Sequence, residues 1–178
     1  MKRLFAVFVS AAFALSLMAH AQAPQTPKPG PEVKKLDYFL GTWDMEGNTK
    51  PGPFGPGGKF TGMERNDWMP GDFFLVTHSQ FKDPSGDWKG LAIMGYNADD
   101  KVYTYHEFNS MGEATSATGT VTGDTWIWLS EDKMGGKIMK WRFAVKVLSP
   151  TSYTFKFDLA SPTGEWNTLM EGKATKEK

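Results

Sequence analysis

The sequence contains no cysteine. That excludes disulfide staples and a lipid-attachment cysteine, so a secreted form of this chain must draw its stability from its core alone. Net charge is also missing: 20 basic residues stand against 20 acidic ones. A near-neutral chain offers no electrostatic case for binding nucleic acid or an anionic membrane surface. Histidine is scarce, with three in the chain. No Gly-x-Ser-x-Gly, P-loop, dinucleotide fingerprint, His-Glu-x-x-His or calcium loop occurs, so no known catalytic motif stands out. Good helix formers are not clustered. Trp, Phe, Tyr, Thr, Val, Ile and glycine are abundant instead, which favours strands and tight turns.

One apolar run is present, Leu4 to Met18, preceded by Lys2 and Arg3 and followed by the small-x-small site Ala19-His20-Ala21. It falls short of the roughly 20 residues of a membrane span and reads as a secretory signal peptide over residues 1–21. Cleavage after Ala21 is preferred to cleavage after Ala23, which would leave Pro24 first. The expected mature protein is secreted or periplasmic, free of the membrane and slightly acidic, since the leader removes two basic residues and no acidic one. Residues 22–31, QAPQTPKPGP, form a proline-rich tether that can join neither sheet nor helix. Residues 32–178 are one domain of ordinary size.

Within that domain, Val33, Leu36, Phe39 and Leu40 fall at helical spacing and predict one or two helical turns, stopped at Gly41. The period then switches to two. Strands are predicted over Thr42–Lys50, Lys59–Met69, Asp72–Phe81, Asp87–Tyr96, Lys101–Asn109, Glu113–Val121, Thr125–Ser130, Lys137–Leu148, Thr151–Ala160 and Glu165–Thr175, each break being built from turn residues. The Pro51–Gly58 loop alone is long and is expected to lack regular structure. About ten strands joined by short hairpins make a meander, and closure removes its two exposed edges. The fold class is therefore all-β: a closed antiparallel up-and-down barrel with a short N-terminal helical turn.

Faces can be assigned in part. Met139, Trp141, Phe143, Val145 and Val147 share one face of the eighth strand, with Arg142 out of phase. Tyr153, Phe155, Phe157 and Leu159 share one face of the ninth. The fifth strand sets Tyr103, Tyr105 and Glu107 against Val102, Thr104, His106 and Phe108. The third sets His78 on the face opposite Thr77 and Ser79. Mixed polar and apolar faces of this kind suit a cavity-lined barrel.

A helical turn running into Gly-x-Trp at the first strand resembles the calycin superfamily of lipocalins and fatty-acid-binding proteins. The set Leu40-Gly41-Thr42-Trp43, Gly62-Met63-Glu64-Arg65, Gly95-Tyr96-Asn97 with Tyr103, then Gly119, Arg142, Tyr153 and Trp166 resembles, over about residues 33–175, a family of bacterial secreted proteins, domain-of-unknown-function family 1579. The resemblance implies a calycin-like barrel and no established activity. It implies that Gly41 and Trp43 form a closed-end motif, the tryptophan plugging the barrel with Arg142 or Arg65 packed over it. It also implies a mobile first loop, with Phe54 as an apolar plug at the mouth, and an inward arginine such as Arg65 as an anchor for a ligand carboxylate.

Histidine chemistry is weighed on His78 and His106, since His20 leaves with the leader. A metal site needs several converging ligands, and Glu107 faces away from His106, so neither metal nor cofactor is expected. Haem-binding barrels share the outline and usually need a histidine ligand, and Asn167–Thr175 has none. The seven tryptophans suit either packing or a stacking surface for a ring-bearing ligand. The reading that emerges is a non-enzymatic binding protein for a small apolar or amphipathic molecule, with Arg65, His78, Tyr105, His106 and Phe54 as candidate ligand contacts. An enzyme would instead bring two of His78, His106 and Glu64 together, and an interaction module would have a filled barrel and an apolar outer patch around Trp88 or Trp166.

Overall fold

The computed structural model describes residues 27–52, 55–134 and 136–178. The expected signal peptide, the first part of the proline-rich tether and Phe54 lie outside the described residues. A short α-helix, α1 (Pro31–Lys34), runs into a 3₁₀ turn over Lys35–Phe39. Pro31 suits the first turn of a helix because its missing N–H has no partner to lose there. Ten strands follow: β1 (Gly41–Thr49), β2 (Gly58–Trp68), β3 (Leu75–Asp83), β4 (Gly86–Asn97), β5 (Val102–Asn109), β6 (Ala114–Thr122), β7 (Thr125–Met134), β8 (Lys137–Ser149), β9 (Ser152–Ala160) and β10 (Trp166–Lys176). Each pairs antiparallel with the next, and β10 returns to pair with β1, so the sheet closes into a barrel as the turn pattern predicts.

Three local features depart from the expected pattern. β3 starts at Leu75, not Asp72, because Asp72 has a φ of 58° and its N–H bonds back to the Met69 carbonyl at 2.9 Å, which ends extension. β7 continues past Ser130 to Met134, where it pairs with Lys137, so a two-residue connection replaces the predicted loop. In the first long loop, Gly52 and Gly55 exchange backbone hydrogen bonds at 3.0 and 3.2 Å, a small β-bridge where none was expected.

Closure of the barrel requires close backbone approach where β1 meets β10. Gly47 lies opposite Gly172, and a Cβ on Gly47 would stand 2.3 Å from the Glu171 carbonyl oxygen and 2.8 Å from the Gly172 Cα. Only glycine fits such a seam. Its outer side carries a groove of ≈ 610 Å³ edged by Lys59, Lys156, Glu171 and Lys173.

The helical segment covers the barrel end at which β1 begins. Leu36, Trp43, Leu75 and Phe155 are essentially fully buried, with Phe39, Tyr103, Trp126 and Tyr153 packed around them. Trp43 donates its indole N–H to the Phe39 carbonyl at 2.8 Å, and its ring lies 4.9 Å from that of Tyr153. Two tyrosines fasten the plug. Tyr38 donates its hydroxyl toward the Ser149 and Ser152 carbonyls, and Tyr103 bonds the Glu32 carbonyl and carboxylate, all at 3.0 Å. Gly41, with a φ of 90°, turns the chain from the plug into β1, a conformation side-chain-bearing residues rarely adopt.

Arg142 is not part of this end. Its guanidinium lies on the outer wall, bonded to Asp158 at 2.6 Å and 4.8 Å above the Trp166 ring centroid. Lys176 takes the expected place instead, its Nζ 5.4 Å from the centre of the Trp43 ring. The physical reason is strand parity: Trp141 and Phe143 face inward, so Arg142 faces outward.

Candidate functional site

The two ends of the lumen are packed differently. At the plugged end the inward side chains are buried. Farther along, Glu64, Phe81, Trp88, Tyr105, Glu107, Phe143, Phe157, Leu159 and Met170 are only half-buried although they belong to or adjoin the inward face. An inward side chain of a closed barrel can retain exposure only toward the lumen or its mouth. The inward face on the side away from the helix is therefore reached by solvent.

Its walls differ chemically. The β2–β5 side carries the polar inward groups. Register places Glu64 opposite Ser79, Ser79 opposite Gly90, and Asn66 opposite Thr77. Thr77 Oγ1 donates to Asn66 Oδ1 at 2.5 Å. Tyr105 donates its hydroxyl to Glu107 Oε2, one strand position along the same face. Gly90 makes room for this group, since a Cβ there would lie 2.5 Å from Ser79 Oγ and 3.4 Å from Glu107 Oε1. The β7–β10 side is aromatic. Phe143 stacks on Phe155 at 5.7 Å and Trp141 lies 5.6 Å from Phe157. Trp128 bridges to the polar wall, 5.8 Å from Tyr105. Toward the mouth, Phe81 and Trp88 stack at 4.7 Å, and the Trp141 indole donates to Asp132 at 2.5 Å.

Electrostatics single out the carboxyl groups. Burial, reinforced by the nearby Glu107 carboxylate, pushes the Glu64 carboxyl up to about 7. Burial raises Glu107 as well, with Glu113 adding to it and the Tyr105 hydrogen bond opposing it. The Tyr105 phenol is held far above its ordinary value by burial first and the Glu107 charge second. The charges acting on these two carboxyls are other carboxylates, and no basic side chain is among them. Desolvation without a compensating cation favours the neutral acid. Among the described residues no group of three metal-ligating side chains occurs.

Of the residues singled out in the sequence, Tyr105 points into the lumen. Arg65 points outward and pairs with Asp67 at 3.0 Å, both largely exposed. His78 lies exposed on the outer face of β3. His106 is likewise outside, its Nδ1 2.9 Å from Ser116 Oγ. Period-two alternation explains all three: Glu64, Thr77 with Ser79, and Tyr105 with Glu107 occupy the inward positions beside them. Glu64 and the histidines therefore diverge, and the histidine-based enzyme site does not form. Trp88 is part of the mouth, and Trp166 lies beneath Arg142. Glu107 was readable from its alternation with Tyr103 and Tyr105, but its pairing with Glu64 across β3 and β4 needed the register.

These features define a closed ten-stranded antiparallel barrel, plugged at one end and lined by acids and aromatics beyond the plug. Residues 28–176 match the protein family of unknown function DUF1579, and the chain belongs to it. Among solved structures, Rv2717c from M. tuberculosis is similar with a TM-score of 0.60 and 12% identity, covering 84% of this chain and 99% of that one. A de novo designed fluorescence-activating β-barrel is similar with a TM-score of 0.45 and 14% identity, covering 81% of this chain and 98% of that one. At these identities the first likeness shows a shared fold alone. No curated protein matches the chain.

Proposed function

We propose that this protein binds a small apolar or amphipathic molecule in the lumen, without chemical conversion, after export to the periplasm or the medium. The observation that carries the reading is the half-buried inward surface beyond the plug, where an aromatic wall faces a wall of hydroxyls and carboxyls. Concave sites with an apolar lining and a few convergent polar groups are the common form of small-molecule sites. The aromatic wall supplies the burial energy, about 25 cal/mol per Å² of ligand surface removed from water. Tyr105, Ser79 and the carboxyls set orientation. The test is native mass spectrometry of protein purified from its own host, joined to uptake of a lipophilic fluorophore. A co-purified small molecule, or fluorophore uptake lost in Phe143→Asp, supports binding; a ligand-free protein that takes up no fluorophore overturns it. N-terminal sequencing of the exported protein tests the location, with Gln22 as the expected first residue.

One observation favours a second reading. Two carboxyls with raised pKa values in one cavity are also the equipment of general acid–base chemistry. Turnover of a bound molecule by wild type, lost in Glu64→Gln with binding retained, would select that reading over simple binding.

A further inference from the structure

We propose that the lumen selects molecules carrying a protonated amine on an apolar or ring-bearing body, with Glu64 and Glu107 as the receptor for the ammonium group. The inference rests on the binding reading above and names the class of ligand.

Glu64 stands on the inward face of β2 beside Trp43 and Ser79, half-buried, and accepts no hydrogen bond from any described residue, so its carboxyl is left for solvent or a ligand to meet. A partly desolvated carboxyl without a hydrogen bond or a cation from the protein is poorly stabilised in its charged form, and a positively charged donor from outside would satisfy it. Glu107 is oriented for the same task. Tyr105 occupies its Oε2, leaving Oε1 on the side of Gly90 and Ser79. Beside Tyr105 stands Trp128, and the aromatic lining continues from it into the ring pairs of β8 and β9. Aromatic faces attract ammonium groups and their alkyl or aryl bodies together. The same arrangement disfavours anions: a ligand carboxylate would meet two acidic groups and no guanidinium, because Arg65 and Arg142 both lie on the outer wall. A fatty-acid-type ligand is therefore the wrong sign for this lumen. A bare metal ion is disfavoured too, since no set of three ligating side chains gathers among the described residues.

The experiment uses the mature protein and three probes with one naphthyl body: naphthylethylamine, naphthylethanol and naphthylacetate, titrated by calorimetry at neutral pH. The amine is expected to bind about tenfold or more tighter than the alcohol, as a charge-assisted hydrogen bond provides, with the acetate weakest. Glu64→Gln should remove the preference for the amine while alcohol binding persists, and Glu107→Gln should reduce it; the thermal transition of each variant confirms folding. Equal binding of amine and alcohol, or tighter binding of the acetate, overturns the amine assignment and leaves lumen binding standing. Failure of all three to bind overturns both. An amine preference that survives in both folded variants places its recognition elsewhere and also overturns the assignment.

Discussion

Replacing Glu64 by glutamine should stabilise this protein at neutral and alkaline pH. The carboxyl has an ordinary value of 4.5 and is pushed to about 7 in the fold. Between these values the unfolded chain has released the proton and the folded chain still holds it. Stability from this group is therefore fully present below pH 4.5 and is lost as pH rises through about 7, the reverse of the usual salt-bridged carboxylate. A shift of this size corresponds to about 3 kcal/mol. Glutamine keeps the shape, cannot ionise, and removes the penalty. For a barrel of this length the gain corresponds to about 6–10 °C in Tm, less whatever the unpaired amide itself costs. The assay is thermal unfolding by circular dichroism of wild type and Glu64→Gln from acid to alkaline pH. The two should coincide near pH 4.5 and separate progressively, with the variant more stable above about pH 7. A variant no more stable than wild type in alkali, or one offset by the same amount at every pH, would show that Glu64 is well solvated and would refute the reasoning. Selection for function over stability is the natural reason to keep an unpaired acid in such a place.

Other changes have separate outcomes. Trp43→Ala empties the centre of the plugged end and should cost about 3–5 kcal/mol in urea unfolding. Arg142→Ala leaves Asp158, nearly fully buried with Oδ1 already accepting no hydrogen bond, without its cation; because the arginine itself is partly exposed, a loss of about 2–3 kcal/mol is expected from the same measurement. Gly47→Ala places a methyl group against the β10 backbone and should lower Tm sharply or prevent folding, whereas an unchanged Tm would show that the seam can relax. His78→Ala and His106→Ala change exposed side chains, and each should stay within about 0.5 kcal/mol of wild type with probe binding unaltered.

Much of the architecture was legible because turn residues and alternation agree along the chain. The β8 and β9 faces could be assigned directly, since Trp141 to Val147 and Tyr153 to Leu159 alternate cleanly with charge. The plug was legible from Gly41 and Trp43. The site was harder because β2, β3 and β5 mix polar and apolar residues on both faces. In such strands periodicity says which residues share a face and not which face is inward. Glu64 and Arg65 illustrate this: as neighbours they cannot both face the lumen, and only pairing with Trp43 and Ser79 shows that the acid does. The resemblance to fatty-acid-binding barrels pointed to an inward arginine, and the lumen holds carboxyls there instead. The partner of the Trp43 ring was likewise set by the last turn of β10, where Lys176 arrives, a consequence of closure that no local pattern records.

The most direct measurement is a crystal structure of the protein with naphthylethylamine. The naphthyl ring is expected against Trp128, Phe143 and Phe157, with the amine nitrogen within hydrogen-bond distance of Glu64 or Glu107. A probe bound only on the outer wall, or a lumen closed by repacked side chains with the probe excluded, would contradict this.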